Sequence, residues 1–173
     1  SAATAAVANA NDAPTGSVTI DDTTPTQGQT LTASNTLADA DGLGAITYTW
    51  KADGSTVGTG TTYVVTEAEV GKLITVVASY TDGHGTAEAV SSAATAAVTN
   101  VNDAPTGSVS LDDTTPTQGQ TLTASNTLAD ADGLGPISYQ WFANGGAIIG
   151  ATGGSYVLTE GDVGKTITVT ASY

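Results

Sequence analysis

The sequence predicts an all-β fold made of tandem β-sandwich domains, and three observations indicate this class. Apolar and polar residues alternate along short segments, and turn residues separate these segments about every 8–12 positions. No segment shows the period of an amphipathic helix. Aromatic residues make up only 5% of the 173 residues, so each core must be thin and built from small aliphatic side chains. A sandwich domain of about 90 residues suits such a core.

The chain repeats itself at an offset of 91 residues. The segment Asn11–Val18 recurs at Asn102–Val109, and Asp21–Gly44 recurs unchanged at Asp112–Gly135. Copy 2 then gains two residues, and the register returns at its Tyr156, which matches Tyr63 of copy 1. Two copies this similar indicate a longer array of repeats.

The same comparison predicts the domain boundaries. Ser1–Val7 has the same sequence as Ser92–Val98, which reads as the last strand of copy 1. We therefore expect residues 1–8 to be the last strand of a preceding repeat, residues 9–99 to be repeat 1, and residues 100–173 to be repeat 2 without its final strand. The lack of a signal segment and of an initial Met predicts an interior fragment.

Seven segments of copy 1 carry strand or corner signals. In chain order the predicted strands are Gly16–Ile20, Thr30–Leu37, Ala45–Lys51, Thr61–Val65, Leu73–Tyr80 and Ala87–Val98, with a short helical turn over Thr66–Gly71. Ile46, Tyr48 and Trp50 share one face of the third segment. An inward Trp on that strand is typical of an immunoglobulin-like sandwich. Trp50 and Trp141 are therefore predicted core residues, packed on aliphatic side chains because the chain has no Cys and no disulfide.

The charge of the chain excludes some partners and suggests one. The formal net charge is −14, with three basic residues, Lys51, Lys72 and Lys165. Nucleic acids and anionic membrane surfaces need clustered cations, so neither is an expected partner. No segment is apolar and long enough to insert into a membrane as a helix. The acidity itself has two interpretations, which are solubility and the binding of divalent cations.

Three acidic clusters would meet where one sandwich follows another. The linker between the copies has the sequence NVNDAP. The loop between the second and third predicted strands, which we call the B–C loop, contains Asp130-Ala131-Asp132 in copy 2. The helical turn between the fourth and fifth predicted strands, E and F, which we call the E–F corner, contains Glu67-Ala68-Glu69 in copy 1. In a sandwich the B–C loop lies at the end where the chain enters, and the E–F corner lies at the opposite end. The i, i+2 spacing on extended chain also makes both carboxylates of each pair face the same way.

Calcium is the cation that this ligand chemistry predicts, because it accepts six to eight carboxylate, amide and water oxygens. The expected ligands at the junction between the copies are Glu67, Glu69, Asn100, Asn102, Asp103, Asp130 and Asp132. The same pattern at the first linker and at the second E–F corner adds Asn9, Asn11, Asp12, Asp39, Asp41, Glu160 and Asp162. Asp21, Asp22, Asp53 and Asp82 are interpreted as turn residues.

These motifs resemble those of cadherin repeats. The NVNDAP linker is similar to the cadherin linker D-x-N-D-N-x-P, Glu67-x-Glu69 to the acidic pair before strand F, and Asp130-Ala131-Asp132 to the D-A-D motif. Asn replaces the first linker Asp, and the last linker Asn is missing. Phrases such as VNDAPTGSV and DVGKTITVTASY resemble the cadherin-like or immunoglobulin-like tandem repeats of giant bacterial RTX-type surface adhesins. The resemblance implies an extracellular location on a bacterial cell surface.

The predicted function is that of extender repeats in an adhesin or surface filament, stiffened by calcium, with neighbouring repeats of the same chain as partners. One alternative is an adhesion module that binds a glycan or a cell-surface protein, for which Phe142 is the candidate contact. Another is a filament subunit, in which Ser1–Val7 completes copy 2 of a second molecule head to tail. An enzyme is not expected, because the single His84 has no positioned partners for a catalytic triad.

Overall fold

The structure is a computed structural model that describes all 173 residues. The chain divides into two compact units, Ser1–Val101 (unit 1) and Asn102–Tyr173 (unit 2). Unit 1 contains copy 1 and unit 2 contains copy 2. Neither unit has a helix that is long and apolar enough to cross a membrane.

Unit 1 consists of two antiparallel sheets. Its strands are β1 (Val18–Ile20), β2 (Thr30–Asn35), β3 (Thr47–Ala52), β4 (Ser55–Thr59), β5 (Thr62–Val64), β6 (Ile74–Thr81) and β7 (Ala87–Ser91). One sheet has the order β1-β2-β5 and the other has the order β4-β3-β6-β7. A 3-10 turn, Glu67–Glu69, connects β5 with β6.

The core of unit 1 lies between these sheets because residues alternate across each strand. Leu31 and Ala33 of β2 face Trp50 of β3, and Ile74 and Val76 of β6 join the same buried cluster. Thirteen buried residues form this cluster. The prediction of an all-β sandwich is confirmed.

Trp50 is fully buried, as predicted, but its neighbours are not only aliphatic. The Tyr63 ring stacks on it with ring centroids 5.9 Å apart. The indole N–H donates to the carbonyl of Gly60 at 2.8 Å, so the one polar atom of the ring is satisfied. In unit 2 the ring centroids of Trp141 and Tyr156 are 5.7 Å apart, and the Trp141 indole donates to Gly153.

Unit 2 repeats this plan with fewer strands. Its strands are β8 (Val109–Leu111), β9 (Thr121–Asn126), β10 (Ser138–Ala143), β11 (Gly146–Ala147), β12 (Ser155–Val157) and β13 (Ile167–Ser172). The sheet orders are β8-β9-β12 and β11-β10-β13. Unit 2 has a 3-10 turn at Glu160–Asp162. Its buried cluster has three members, which are Leu122, Trp141 and Leu158.

The structure corrects the predicted strands at two places. Strand β4 was not predicted; it forms a hairpin with β3 around Asp53 and Gly54, whose φ angles of 46° and 83° fit a tight turn. Of the predicted strand Ala87–Val98, only Ala87–Ser91 forms a strand of the sheet. Beyond it, the hydroxyl of Ser92 accepts the amide of Val76, so a side chain replaces a backbone partner and the chain leaves the sheet edge.

Candidate cation sites at the entry loops

The linker peptide of each unit is hydrogen-bonded to an acidic loop of the same unit. The amide of Asp12 donates to Asp41 Oδ2 at 2.7 Å in unit 1. The amide of Asp103 donates to Asp132 Oδ2 at 2.6 Å in unit 2. Each linker residue therefore meets the loop that follows strand β2 or β9. We call these two places the entry loops, Asp39–Gly42 in unit 1 and 130–133 in unit 2.

Inside each entry loop the two aspartates of the D-x-D motif form a turn. The amide of Asp41 donates to Asp39 Oδ1, and the amide of Asp132 donates to Asp130 Oδ1, both at 2.9 Å. The motif does not lie on extended chain, so the argument that its carboxylates face one way by strand alternation was wrong. Instead, the carboxylate of the first aspartate accepts the backbone amide of the second, and this hydrogen bond closes a turn.

A tyrosine near the end of β6 in unit 1 and just after β13 in unit 2 is hydrogen-bonded to the first aspartate of each loop. The Tyr80 hydroxyl donates to Asp39 Oδ2 at 2.6 Å, and the Tyr173 hydroxyl donates to Asp130 Oδ2. Burial and the neighbouring Asp39 raise the pKa of Tyr80. The hydrogen bond to Asp130 raises the pKa of Tyr173 to about 12. The sequence analysis did not assign either tyrosine to the loop.

Unit 1 adds a third aspartate that was predicted to be only a turn residue. Asp82 Oδ1 accepts the amides of His84 and Thr86, each at 2.8 Å, and these bonds lower the pKa of Asp82. Asp82 Oδ2 is buried without a hydrogen-bond partner, in a residue that is only 6% exposed. A buried carboxylate oxygen without a hydrogen-bond partner is costly, and a bound cation is one group that satisfies such an atom.

The turn that carries Asp82 is tied to the entry loop. The amide of Gly83 donates to the carbonyl of Asp41 at 3.0 Å. A Cβ at Gly83 would lie 2.6 Å from that carbonyl oxygen, so the close approach requires glycine. His84 Nε2 lies 3.9 Å from Asp41 Oδ1, and Asp41 is itself buried. Asp39, Asp41 and Asp82 thus belong to one side of unit 1.

The asparagines that were predicted as ligands make different contacts in the two units. Asn11 Nδ2 donates to Glu88 Oε1 at 2.9 Å, which adds a carboxylate that the sequence did not suggest. Asn102 Nδ2 donates to the carbonyl of its neighbour Asp103 at 3.0 Å. Asn9 and Asn100 are exposed.

The acidic pairs at the E–F corners have separate roles within their 3-10 turns. Glu69 is 4% exposed, and its Oε2 accepts the amide and the hydroxyl of Thr66 at 2.9 and 2.7 Å. Burial raises the pKa of Glu69, but these bonds and the Tyr63 hydroxyl outweigh it and the net pKa is lowered. Residues i and i+2 of a 3-10 turn do not share a face. The side chain of Glu67, which is half-buried, therefore lies on a different face from that of Glu69.

The corner of unit 2 is built in the same way. Asp162 Oδ2 accepts the Thr159 amide at 2.8 Å and the Thr159 hydroxyl at 2.7 Å, and these bonds lower its pKa. Glu160 is exposed. Glu69 and Asp162 therefore cap their own turns, a role that the sequence did not assign to them, although a Thr three residues before an acid is the signature of a capping box.

The donor set of the entry loops fits a hard cation. It consists of carboxylate oxygens, and it contains no Cys and one His. Unit 1 offers the carboxylates of Asp39, Asp41 and Asp82, with Asp12 from the linker. Unit 2 offers Asp103, Asp130 and Asp132 and has no counterpart of Asp82 in the sequence.

Phe142, the candidate contact for a ligand, is half-buried on β10, where it is paired with Ala147 of β11.

The chain matches no family model and no curated protein. It is similar to a solved structure of the three N-terminal domains of the bacteriophage RB49 highly immunogenic outer capsid protein (Hoc), with 18% sequence identity and a TM-score of 0.34. The match covers 92% of this chain and 54% of that chain, so the chain spans about half the length of that structure.

Proposed function

We propose that this chain is a structural spacer of an extracellular bacterial adhesin, and that its entry loops bind calcium. The observation that carries the proposal is the buried, unpartnered Oδ2 of Asp82 beside an entry loop that already holds Asp39 and Asp41. The neutral alternative, a solvated acidic loop, would leave its carboxylates in water, whereas Asp41 and Asp82 are buried.

Charge repulsion gives the physical reason for an ion. Two carboxylates about 4 Å apart repel by roughly 4 kcal/mol at an effective dielectric constant of 20. Only His84, at 3.9 Å from Asp41, offers a basic group to this side of unit 1, and it carries a charge only when protonated. A divalent cation would replace repulsion by attraction and supply a ligand partner for Asp82 Oδ2.

A spacer function follows because the ion would connect the linker to the entry loop of each unit. The linker residues Asp12 and Asp103 are already bonded to the entry loops through their backbone amides. Pro14 and Pro105 restrict the linker backbone further. A cation shared between linker and loop carboxylates would reduce the remaining freedom of the linker and make an array of such repeats stiffer and longer.

The proposal is tested by thermal unfolding in calcium and in chelator, with magnesium as the comparison ion. Binding to the folded state alone raises stability by about 2.7 kcal/mol when calcium is at 100 times its dissociation constant. We expect calcium to raise the melting temperature, and Asp41→Asn with Asp82→Asn to remove most of the shift. The double variant Asp130→Asn with Asp132→Asn should remove the part that belongs to unit 2.

The control is Asp53→Asn, which removes one negative charge, half the change made by either double variant, at a turn away from the entry loops. Asn144 holds the same position in copy 2, and its Oδ1 accepts the amide of Thr166 as Asp53 Oδ1 accepts that of Leu73, so Asn fits there. The calcium shift should persist in this control. Small-angle scattering should show a larger maximum dimension with calcium; equal melting and equal dimensions with calcium and chelator would refute the proposal.

A further inference from the structure

The phenol of Tyr80 lies where the core of unit 1 meets the entry loop. Its ring belongs to the buried core cluster, and the residue is only 5% exposed. Its hydroxyl donates to Asp39 Oδ2 at 2.6 Å. Tyr80 is paired with Glu88 of β7, so the strand that carries the ring is held on its edge by a neighbouring strand. A side chain fixed in the core therefore holds a carboxylate of the loop.

Tyr80 and Asp82 reach the loop from the same strand end. Tyr80 is the second-last residue of β6, and Asp82 follows the last. Residues at this spacing on extended chain point to the same face, and both residues are buried. Tyr80 donates its hydrogen bond to a loop aspartate, while Asp82 presents the buried Oδ2 that has no hydrogen-bond partner. The end of β6 thus supplies one orienting group and one candidate ligand.

Asp39 comes from the loop that joins the two sheets of unit 1. This loop runs from β2 of the three-stranded sheet to β3 of the four-stranded sheet. Asp39 is half-buried; its Oδ1 accepts the Asp41 amide and its Oδ2 accepts the Tyr80 hydroxyl. Each carboxylate oxygen has two lone pairs, so each can accept one hydrogen bond and still bind a cation. The two bonds therefore orient Asp39 without blocking it.

The other two aspartates on this side of unit 1 are held by backbone amides. Asp41 Oδ2 accepts the Asp12 amide at 2.7 Å. Asp82 Oδ1 accepts two amides of the turn that follows it, each at 2.8 Å. A side-chain substitution leaves a backbone amide in place. Tyr80→Phe, by contrast, removes the hydroxyl that orients Asp39 and keeps the buried ring.

The Tyr80 hydroxyl remains a donor at neutral pH. Burial, the bond to Asp39 and the charges of Asp39, Glu88 and Asp82 raise the pKa of Tyr80. A phenol that keeps its proton has one hydrogen to donate and carries no charge. Tyr80 therefore orients an acidic ligand without adding to the repulsion between the carboxylates of this side.

We infer that the Tyr80 hydroxyl is a positioning group that orients Asp39 toward a bound calcium ion and sets the calcium affinity of unit 1. This role rests on the proposed function, because it concerns how the same site holds its ion. Groups that hydrogen-bond to metal ligands keep those ligands in the binding geometry, and their loss commonly weakens metal binding by about 10- to 100-fold. The folded core, through β6, thus prepares the loop for the ion.

The first experiment measures calcium affinity by isothermal titration calorimetry. The full chain with Asp130→Asn and Asp132→Asn serves as the background, so that the site of unit 1 is the one measured. Tyr80→Phe on this background should raise the dissociation constant at least about tenfold. Tyr48→Phe is the matched control, because it removes the hydroxyl of a half-buried tyrosine whose partner is Asn35 rather than a carboxylate. It should bind calcium like the background chain.

Thermal unfolding in calcium and in chelator separates positioning from a purely structural role. Loss of a hydrogen bond that only stabilises the fold lowers the melting temperature equally in both conditions. Loss of a positioning group also reduces the increase that calcium causes, because that increase depends on affinity. We expect a smaller calcium-induced increase for Tyr80→Phe and an unchanged increase for Tyr48→Phe.

Asp39→Asn tests the same contact from its other partner. Because the hydroxyl acts through Asp39, Tyr80→Phe should weaken binding little further in a chain that already carries Asp39→Asn. A folded Tyr80→Phe chain that binds calcium within about threefold of the background would overturn the positioning role and leave the proposed calcium site standing. Where Tyr80→Phe does not fold, unchanged affinity of Asp39→Asn would overturn that role. A background chain that binds no calcium would refute the proposed site of unit 1 together with the role of Tyr80.

Discussion

Units 1 and 2 share an identical stretch of 24 residues, Asp21–Gly44 and Asp112–Gly135, yet they bury very different cores. Thirteen buried residues form the cluster of unit 1, and three form that of unit 2. Leu31 and Leu122 are both fully buried, as are Trp50 and Trp141. The difference lies in residues such as Val76 and Val169, which have the same type and lie on equivalent strands, but only Val76 is buried. Unit 1 is covered by β7 and by residues 92–99, of which Thr95 and Val98 are buried, and the 173 residues contain no counterparts of these for unit 2.

The entry loops show the opposite behaviour. Both loops form the same internal turn and accept the same bond from their linker, although one belongs to a closed sandwich and the other to an open one. Loop geometry is therefore a local property of the repeated sequence, whereas burial depends on residues far along the chain. Four pairs of matched substitutions, one of them a control, test this division between local and distant control.

The largest expected effect comes from the two core tryptophans. Trp50→Ala should lower the free energy of unfolding of unit 1 by about 3–5 kcal/mol, the usual cost of emptying a packed aromatic site. Trp141→Ala should cost unit 2 about 3 kcal/mol or less, because fewer buried neighbours surround the cavity. Calorimetry measures both transitions, and fluorescence of the remaining Trp identifies the unit that was left unchanged. Equal losses in the two units would contradict the comparison.

Two glycines at the same position of the repeat give the next largest effect. A Cβ at Gly44 would lie 2.0 Å from the carbonyl oxygen of Thr81, whereas at Gly135 the nearest atom, in Tyr173, is 3.8 Å away. Gly44→Ala should therefore destabilise unit 1 by about 1–3 kcal/mol, and Gly135→Ala should have little effect on unit 2. Both melting temperatures report the outcome.

A second glycine pair serves as the control for this prediction. Gly16 and Gly107 have φ angles of 92° and 91°, and a Cβ at either would lie 2.3 or 2.2 Å from a carbonyl oxygen. Gly16→Ala and Gly107→Ala should each destabilise their own unit by a similar amount. A large effect of Gly135→Ala, comparable with that of Gly107→Ala, would mean that unit 2 is closed in solution.

The smallest expected effect concerns the caps of the two 3-10 turns and depends on pH. Thr66→Ala and Thr159→Ala each remove a hydroxyl bound to Glu69 or Asp162 and should cost about 1 kcal/mol near neutral pH. The pKa of each carboxyl is lower in the folded state than its ordinary value, so its contribution is complete above the ordinary value and is lost as pH falls through the folded value.

Denaturant unfolding at pH 6 and pH 3 therefore measures the cap pair. The difference between parent and variant should shrink at pH 3 in both units, because a protonated carboxyl no longer gains from the charge-assisted bonds. Thr66→Ser and Thr159→Ser keep the hydroxyl and should behave like the parent chain. A loss that stays constant between the two pH values would show that the capping carboxylates do not titrate in this range.

Most strands could be predicted from alternation and turn residues, but two features could not. Strand β4 contains Ser55, Thr56 and Gly58, whose composition gives no burial pattern, and it exists because β3 offers it a hydrogen-bonding edge. The departure of the chain from the sheet after Ser91 depends on the hydroxyl of Ser92, which accepts the Val76 amide in place of a backbone carbonyl. Both depend on partners that are distant in sequence.

The candidate site was predicted in part for the same reason. The D-x-D motifs and the linker aspartates were recognisable because their residues are close in sequence and repeated. Asp82 and Glu88 were not assigned to the site, because their approach to Asp41 and Asn11 requires strands β6 and β7 to run back beside the entry loop. Glu69 and Asp162 were expected to be metal ligands, and the structure shows them capping their own turns.

The sequence by itself determined the repeat, the all-β class, the inward tryptophans and the local turns, since each depends on neighbouring residues and on alternation along one strand. The tertiary structure decided which carboxylate is buried without a partner and which acids serve as caps. These properties depend on the packing of one element against another, and the interaction of a charge or an apolar side chain with its surroundings is set by distances in space rather than by positions along the chain.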